Sequence, residues 1–491
     1  MKHYKQFIDG EWCDASDGGT ITTINPATEE EWATVPAATE DDVNRAVHSA
    51  QQAMFSGPWS TMTATQRANC IFKLADLIGK HAYDLGGIET IDSGKLAKET
   101  RMQTGYVSDY YRYFAGLADK IEGQTLPIDK PDMHVFTTRE PIGVVAAVVP
   151  WNAQMFLTAT KLGPALAAGN AVVLKASEEA PAPMFEFARI VEEAGFPNGV
   201  INVITGFGEP CGRALTAHPG VARVAFTGGP ETASRVIANT AENYAHVSLE
   251  LGGKSPIVVF EDADIEGAVN GIIAGNFGAS GQSCVAGSRV ILHRKIRDAV
   301  VEKLVDRASR IVIGDPLADD TQMGPLATKA QIERIEKSLS NSKTQGADIL
   351  HGGEKPESFD KGYYFKPTIL ACPSQDIDTV NNEMFGPVMS TLVFEDEEEA
   401  IQMANNTRFG LGSGLFTENL ARAHRVGAKI RSGILWVNTY RAISPIAPFG
   451  GFGHSGFGRE AGTESILDYT RTKTTWINTS SEPMANPFVM R

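Results

Sequence analysis

The sequence contains few cysteines and no long apolar run. Its five cysteines, among 491 residues, are an odd number with neither the spacing of a disulfide framework nor that of a zinc finger. No window reaches the roughly 18 uninterrupted apolar residues of a membrane helix, and the opening MKHYKQFIDGEWCDAS lacks the apolar core of a signal peptide. We therefore expect a cytoplasmic protein with no membrane partner.

A basic stripe is also missing. The chain has 44 Lys and Arg residues against 59 Asp and Glu residues, which gives a net charge of −15. Such a surface repels polyanions, so we expect no nucleic-acid partner. With 42% hydrophobic and 21% charged residues, the composition is that of a globular protein, and the length indicates two or three domains.

Short β-rich runs alternate with helical stretches between about residues 142 and 251. Nearly continuous Val, Ile, Leu and Ala runs indicate strands buried on both faces, and the alternation predicts a parallel, doubly wound sheet. The predicted strands are 143–150, 171–177, 199–205, 221–229 and 246–253, and the predicted helices are 154–168, 181–195, 209–217 and 231–244.

The rest of the chain completes an α/β fold. Apolar residues at three- and four-residue steps predict helices over 40–120. Residues 123–141 break that pattern and resemble a polar hairpin that projects from the body. The α/β alternation restarts after residue 253 and continues to about 452, which predicts a second doubly wound domain. The tail DYTRTKTTWINTS alternates like one more strand.

The segment GQSCVAGSR, residues 281–289, places Cys284 among small residues. A lone cysteine is most often buried and inert. Here the small neighbours leave space around the sulfur and let backbone amides approach a bound oxygen. An unperturbed thiol has a pKa of ~8.5, so a few per cent is thiolate near neutrality. This context favours a nucleophile.

Glu250 lies in SLELGGKSP, residues 248–256, and interrupts an apolar run that we expect to be buried. A glutamate at a strand end is otherwise a solvated or salt-bridged group. Burial raises a carboxyl pKa, which suits a general base near neutral pH. Together with Cys284, it provides a thiol that attacks a carbonyl and a carboxylate that activates water. Such a pair can form and hydrolyse a thioester.

Asn152 follows the first predicted strand and allows two interpretations. It is either a turn residue or an amide that donates a hydrogen bond to a developing oxyanion. Loss of one such donor typically costs ~3–4 kcal/mol of transition-state stabilisation.

The segment FTGGPETASRV, residues 226–236, joins a strand to a helix. Gly228 and Gly229 permit a tight turn, and Glu231 lies in the first turn of the helix. A helix start presented in this way favours an anionic phosphate, although many α/β loops look similar.

In LKASEEAP, Lys175 and Glu178 form either a surface pair or a ribose contact, and Glu178 would repel a 2′-phosphate.

Together these motifs resemble those of the NAD(P)-dependent aldehyde dehydrogenase superfamily. The resemblance covers essentially the whole chain, from FIDGEW to GREAGTESILDYTRTK. The segments PWN, LELGGKSP, GQSCVAGSR, EMFGPV, WVN and PFGGFGHSGFGRE occur in the order and at the spacing of that family.

The resemblance implies that Cys284 is the nucleophile, Glu250 the general base and Asn152 the oxyanion amide. It implies an NAD-binding domain (1–122 and 142–252), a catalytic domain (253–452) and an oligomerisation arm (123–141 and 470–491) that completes a partner's sheet. We therefore expect a homo-oligomer, a tetramer rather than a dimer. The implied cofactor-binding residues are Trp151, Lys175, Ser177, Glu178, Gly208, Gly228, Gly229, Glu231, Leu251, Glu383 and Phe385.

The chain departs from the family pattern at several positions. Gly229 replaces a serine found in many members. Ala153, Thr160 and Gly278 stand where bulky aromatics are common, and Arg441 introduces a charge near the mouth. This pattern predicts a wide, largely apolar tunnel for a long or bulky aldehyde. The predicted tunnel residues are Tyr106, Ala153, Phe156, Thr160, Gly278, Arg441, Ile443 and Phe449.

The resulting hypothesis is oxidation of an aldehyde to a carboxylic acid, without a metal and with NAD favoured over NADP because of Glu178. A non-redox cysteine acyl-transferase or hydrolase is an alternative, but it needs a base, often His, that no motif supplies. An inactive binding protein is a second alternative, against which the intact Cys284, Glu250 and Asn152 argue. A CoA-acylating aldehyde dehydrogenase is a third, although that class usually lacks the water-activating glutamate.

Overall fold

Two large sheets organise the chain. The structure is a computed structural model that describes residues 1–484 and 486–489. Residues 485, 490 and 491 of the predicted arm lie outside the described residues. The predicted α/β class is confirmed by alternating strands and helices in both halves of the chain.

The strands, numbered in chain order, are β1 (Lys2–His3), β2 (Gln6–Ile8), β3 (Glu11–Cys13), β4 (Thr20–Asn25), β5 (Glu30–Pro36), β6 (Met133–Pro141), β7 (Val144–Val148), β8 (Ala171–Ala176), β9 (Ile201–Thr205), β10 (Val221–Gly228), β11 (His246–Leu251), β12 (Pro256–Val259), β13 (Arg289–His293), β14 (Asp348–His351), β15 (Thr368–Ala371), β16 (Val388–Phe394), β17 (Gly412–Phe416), β18 (Ile434–Val437), β19 (Gly456–Phe457) and β20 (Thr470–Asn478).

The α-helices are α1 (Glu40–Phe55), α2 (Ala64–Lys80), α3 (Ala82–Ser93), α4 (Ala97–Ala115), α5 (Gln154–Ala167), α6 (Ala182–Ala194), α7 (Arg213–Ala217), α8 (Pro230–Thr240), α9 (Ile265–Phe277), α10 (Arg297–Ser309), α11 (Lys329–Thr344), α12 (Asp378–Asn381), α13 (Glu397–Asn405) and α14 (Leu420–Gly427). No helix among the described residues is long and apolar enough to cross a membrane.

The first sheet has the strand order β19-β11-β10-β7-β8-β9-β2-β3. Its five central strands, β11 to β9 in that order, are parallel, as predicted. Both edges are antiparallel. The predicted parallel arrangement is therefore confirmed for these five strands, and antiparallel strands extend the sheet at both edges. The amino-terminal hairpin extends one edge, and the two-residue strand β19 extends the other and is too short to show a pattern in the sequence.

The second sheet has the order β14-β15-β16-β13-β12-β17-β18 and is parallel except for β14. It follows the predicted restart of the α/β alternation. Helix α9 begins at an Asp264 side chain that accepts the backbone N–H groups of Glu266 and Gly267, a typical N-cap. The loop between α9 and β13 carries Cys284, so these two elements fix the position of that loop.

The segment predicted as a polar hairpin also pairs with a distant strand. Residues 133–141 form β6, and β6 pairs antiparallel with the carboxy-terminal strand β20, from Thr470↔Pro141 to Asn478↔Met133. Within 123–141 an antiparallel bridge joins Thr125 and Phe136, and backbone N–H groups of Leu126 and Thr137 donate to the carbonyls of Val135 and Gln124. The predicted hairpin is therefore present as a short pairing, and the longer partner of β6 comes from the other end of the chain. The tail strand is confirmed. A three-stranded sheet, β1-β5-β4, was not predicted.

Candidate active site

Three chain segments meet at the carboxyl ends of the parallel strands of the first sheet. Asn152 lies in the loop between β7 and α5, Glu250 lies near the end of β11, and Cys284 lies in the loop before β13. Two adjoining cavities, of about 200 Å³ and about 50 Å³, open here, and Glu250, Leu251 and Cys284 line both. The predicted thiol and carboxylate therefore face the same space.

A strained turn presents Cys284. Ala279, Ser280 and Gly281 have φ values of 53°, 54° and 73°, a left-handed run that is uncommon for residues other than glycine. A Cβ at position 281 would overlap the backbone of Gly386, so only glycine fits there. The Ser280 hydroxyl donates to the Gly324 carbonyl at 2.8 Å. These contacts fix the turn immediately before the cysteine.

Burial, together with the nearby Glu383 and Glu250 charges and against the opposing charge of Arg441, raises the pKa of the Cys284 thiol to about 12. In this environment the thiol is protonated at neutral pH. The nucleophilic thiolate therefore has to form when a base removes its proton.

Glu250 is 3% exposed, and neither carboxylate oxygen has a hydrogen-bond partner among the described residues. Burial, followed by the Glu460 charge, raises its pKa well above the ordinary value. Gly450 leaves room for the side chain, because a Cβ there would lie 2.7 Å from Glu250 Oε1. The solvated and salt-bridged interpretations of Glu250 are thus excluded. A buried carboxylate without partners is costly and has the character of a proton acceptor.

The Asn152 side chain spans the gap between the two halves. Its Nδ2 donates to the Gln282 carbonyl, two residues before Cys284, at 3.1 Å. An amide carries two N–H groups, so this bond leaves the second one for another acceptor. Asn152 is therefore more than a turn residue: it ties the loop after β7 to the loop that holds Cys284.

A wide cleft extends from this point along the start of helix α8. A cavity of about 580 Å³ adjoins the 200 Å³ cavity and shares Gly229, Arg334 and Glu383 with it. Gly229 caps α8 without a side-chain hydrogen bond, and Glu231 lies in the first turn. A Cβ at Gly229 would meet no described atom within 4 Å. Open backbone N–H groups at a helix start favour an anion.

Lys175 and Glu178 lie after β8. Lys175 is buried, and its Nζ donates to the Ala176 carbonyl at 3.0 Å and to Glu178 Oε2 at 3.3 Å. They are therefore not an ordinary surface pair. The Ser177 hydroxyl accepts the Glu179 N–H at 3.1 Å. Gly208 begins an irregular turn where a Cβ would meet no described atom within 4 Å.

The other wall of the cleft holds Glu383 and Phe385. Glu383 Oε1 accepts the Gly253 N–H at 3.1 Å, and its carboxylate fills the space that a side chain at Gly252 would need. Burial raises the pKa of Glu383 to about 7. Phe385 has a φ of 51°, and its ring meets the Trp151 ring edge-on at 5.4 Å. Six predicted cofactor residues line the cavity of about 200 Å³, and Lys175, Ser177, Glu178, Gly208 and Glu231 are not among its lining residues; the six are Trp151, Gly228, Gly229, Leu251, Glu383 and Phe385.

The cavity on the other side of Cys284 encloses only about 50 Å³. The predicted wide tunnel is therefore corrected to a narrow one. Tyr110 packs edge-on against Phe156 at 5.0 Å, and the side chain of Trp436 fills further space. The lining is largely apolar, as predicted. Four predicted tunnel residues belong to it: Phe156, Thr160, Ile443 and Phe449.

The other four predicted tunnel residues do not line this cavity. The Tyr106 hydroxyl donates to the Ile443 carbonyl at 3.2 Å, so it contacts a residue that lines the cavity. Arg441 donates from one guanidinium nitrogen to the Ala274 carbonyl at 2.9 Å and occupies the space beside Gly278. Ala153 is the N-cap of α5 and is half-buried.

A buried polar cluster in the wall of this cavity was missed. Glu460 forms an ion pair with Lys161 and accepts the Thr160 hydroxyl at 2.7 Å, and Lys161 also donates to Thr227 at 2.6 Å. Two signals were available in the sequence: a lysine inside the apolar helix TATKLGPALA and the glutamate of FGRE. Among the described residues, no group of three or more His, Cys, Asp or Glu side chains could hold a metal ion.

Comparison with known proteins agrees with this site. Residues 12–475 match the Aldehyde dehydrogenase family. A (Z)-2-((N-methylformamido)methylene)-5-hydroxybutyrolactone dehydrogenase from Acinetobacter baylyi is 54% identical over 492 aligned positions, covering 100% of both chains. The chain thus belongs to the aldehyde dehydrogenase family, and it is an oxidoreductase that acts on the aldehyde group.

Solved structures also match over nearly the whole chain. An NAD+ complex of aldehyde dehydrogenase from Bacillus cereus is 42% identical, with a TM-score of 0.95 and coverage of 98% of this chain and 97% of that chain. Betaine aldehyde dehydrogenase from Staphylococcus aureus, also with NAD+, is 37% identical, with a TM-score of 0.97 and coverage of 99% and 96%. The predicted family is confirmed, and NAD, the predicted cofactor, is the one bound in both relatives.

Proposed function

We propose that this protein oxidises an aldehyde to its carboxylic acid with NAD, through a thioester on Cys284. The main support for this proposal is that the Cys284 thiol and the Glu250 carboxylate, which is buried without a hydrogen-bond partner among the described residues, line the same two cavities. A nucleophile and a water-activating base are thereby available to one bound carbonyl carbon.

The cleft on the Trp151 side fits NAD. The open helix start at Gly229 suits a phosphate, and Glu178 suits a ribose hydroxyl while disfavouring the 2′-phosphate of NADP. Glu383 and Phe385, which line the same cavity as Cys284 and Leu251, would hold the nicotinamide end. When bound, NAD accepts a hydride from the carbonyl carbon. NADP remains the less favoured alternative.

The residues of the chain perform the remaining steps. The Cys284 thiol loses its proton to water, and the thiolate attacks the carbonyl carbon. The second N–H of Asn152 and the backbone N–H of Cys284 stabilise the resulting oxyanion. After hydride loss, the acyl group stays on the sulfur as a thioester. Glu250 then removes a proton from a water molecule that attacks this thioester, which releases the acid and frees the sulfur.

The substrate is a compact aldehyde with a polar group. A cavity of about 50 Å³ does not favour the long or bulky aldehyde predicted from the sequence, and Thr160 and Glu460 place polar atoms in its wall. The Acinetobacter relative is named for a 5-hydroxybutyrolactone. Such a lactone is an isomer of a 4-oxo acid, because ring opening yields an aldehyde and a carboxyl group. We therefore propose a substrate of the 4-oxo-acid class.

The same proposal includes a location and an assembly. A relative from Macroscelides proboscideus named "Aldehyde dehydrogenase, cytosolic 1" is 41% identical, which supports a cytoplasmic location. We propose a homotetramer in which the β6–β20 arm pairs with a second copy, because Trp476 and Ile477 on that arm are exposed. Light scattering after size-exclusion chromatography tests this: a monomer of 52.8 kDa would contradict it.

The decisive assay measures aldehyde-dependent NADH absorbance. We expect activity from the wild type and a loss of about 10⁴-fold or more in Cys284→Ala. Cys70→Ala, a half-buried cysteine on α2, is the matched control and should keep full activity. Aldehyde-independent ester cleavage without NADH would favour the non-redox hydrolase. Formation of acyl-CoA on addition of CoA would favour the CoA-acylating alternative.

A further inference from the structure

Arg441 occupies an unusual position beside the catalytic loop. The Tyr440 hydroxyl donates to the Val285 carbonyl, one residue after Cys284, at 2.8 Å. On the other side, the Ala442 carbonyl accepts the Trp436 indole N–H at 2.8 Å, and Ala442 lines the 50 Å³ cavity. Between these two anchors, Arg441 has a φ of 63°, which a non-glycine residue keeps only where its surroundings impose it. Its backbone is thus fixed at the edge of the substrate cavity.

The guanidinium of Arg441 takes the place of a missing side chain. One of its nitrogens lies where a Cβ on Gly278 would be, so any larger residue at 278 would displace it. Gly278 opens the turn that leads to Cys284. The absence of a side chain at 278, interpreted from the sequence as widening of the tunnel, therefore makes room for a cation.

This cation has few partners within the chain. Its one described side-chain hydrogen bond goes to the Ala274 carbonyl, at 2.9 Å. No carboxylate among the described residues lies within 4.0 Å of it. Glu99 faces the same spot: its Oε1 lies 3.9 Å from the Cβ position of Gly278 and accepts the Ala279 N–H at 3.2 Å, and its Oε2 is buried without a hydrogen-bond partner among the described residues. A guanidinium has five N–H donors, so most of those of Arg441 remain available.

We propose that Arg441 determines specificity by binding the carboxylate of a carboxylate-bearing aldehyde at the mouth of the substrate cavity. The fork of N–H groups on a guanidinium matches a carboxylate in a bidentate arrangement. The next residue, Ala442, lines the same cavity as Cys284, and the guanidinium fills the space beside Gly278, where the turn that leads to Cys284 begins. This proposal rests on the proposed function and names the residue that selects the substrate class.

The test compares two aldehydes of equal chain length, 4-oxobutanoate and butanal. We expect the wild type to have a kcat/KM at least about tenfold higher for 4-oxobutanoate. In Arg441→Gln, the ratio of the two kcat/KM values should fall by about 10- to 100-fold. The ratio is the appropriate readout because loss of this charge also disfavours the thiolate, which slows both substrates equally. Arg441→Lys should keep part of the preference.

A matched control is Arg310→Gln, an arginine at the end of α10 whose side chain is 74% exposed. This variant should leave the ratio unchanged. A second measurement needs no variant: succinate should inhibit the wild type at least about tenfold more strongly than butyrate. A preference for butanal, equal inhibition by the two acids, or an unchanged ratio in Arg441→Gln would overturn the proposal and leave Arg441 a solvated residue. A wild type that oxidises no aldehyde would instead overturn the proposed function itself.

Discussion

The cofactor-side cleft and the substrate cavity share Glu250, Leu251 and Cys284 but differ in size and construction. Cavities of about 580 and 200 Å³ form the cleft, whereas the substrate side encloses about 50 Å³. Strand ends, the start of α8, helix α11 and residues 378–409 line the cleft. Side chains from α4, α5 and the 434–461 region line much of the cavity. The two regions therefore draw largely on different parts of the chain, so a substitution in one can leave the other unchanged.

Glu250 belongs to both regions, so its substitution tests whether they act on one reaction. We expect Glu250→Gln to lower steady-state turnover by about 10²- to 10³-fold, because the base that activates water is lost. The first equivalent of NADH should still form in a burst, since thioester formation precedes hydrolysis. Stopped-flow absorbance with enzyme at substrate-like concentration measures both phases.

The control is Glu357→Gln, an exposed glutamate, which should leave both phases unchanged. For wild-type turnover, the raised pKa of Glu250 predicts a rate that increases with pH well above the ordinary carboxyl range, because the base works only when deprotonated. A rate independent of pH from 5 to 9, or loss of the burst in Glu250→Gln, would separate the two regions and contradict their common use.

Glu178 belongs to the cofactor side alone. Glu178→Gln should raise the ratio of kcat/KM for NADP to that for NAD by about tenfold, since a neutral side chain no longer repels a 2′-phosphate. The KM for the aldehyde should stay within about twofold. Initial rates at varied concentrations of NAD, NADP and aldehyde measure these constants. A change confined to the KM for the aldehyde would contradict the assignment of Glu178 to the cofactor side.

Glu383 provides the smallest expected effect, on stability. Burial raises its folded-state pKa to about 7, so the fold favours its protonated form. That stabilisation is fully present below the unfolded pKa of ~4.3 and is lost as pH rises through about 7. Glu383→Gln, which keeps an uncharged carbonyl for the Gly253 N–H, should therefore unfold a few degrees above wild type at pH 8 and with little difference at pH 4. An equal Tm difference at both pH values, by differential scanning fluorimetry, would contradict the raised pKa.

The sequence predicts the cleft better than the cavity, for a physical reason. Buried parallel strands can be recognised in the sequence as apolar runs, and their carboxyl ends lie at one edge of the sheet. The positions of the apolar runs alone therefore predict that Asn152 and Glu250 lie near each other. The cavity depends on how distant side chains fill space. Only the tertiary structure shows that Tyr110 and Trp436 line the cavity and that the Thr160 hydroxyl donates to Glu460.

The omissions at the sheet edges have a similar origin. Strand β19 has two residues, and β6 finds its partner more than 300 positions along the chain in β20, at registers such as Thr470↔Pro141. Neither a two-residue strand nor a pairing between chain ends leaves a local period in the sequence. The family motifs supplied the role of the arm, but the residue pattern alone suggested only a local hairpin.

The most direct test of the account is the chemical identity of the intermediate. Glu250→Gln mixed with NAD and 4-oxobutanoate, quenched in acid within the burst and digested, should yield the peptide containing Cys284 with the added mass of the acyl group. Cys284→Ala treated identically should yield none. Normal wild-type turnover with no acylated Cys284 peptide, or an acyl group on a different cysteine, would contradict the proposed thioester.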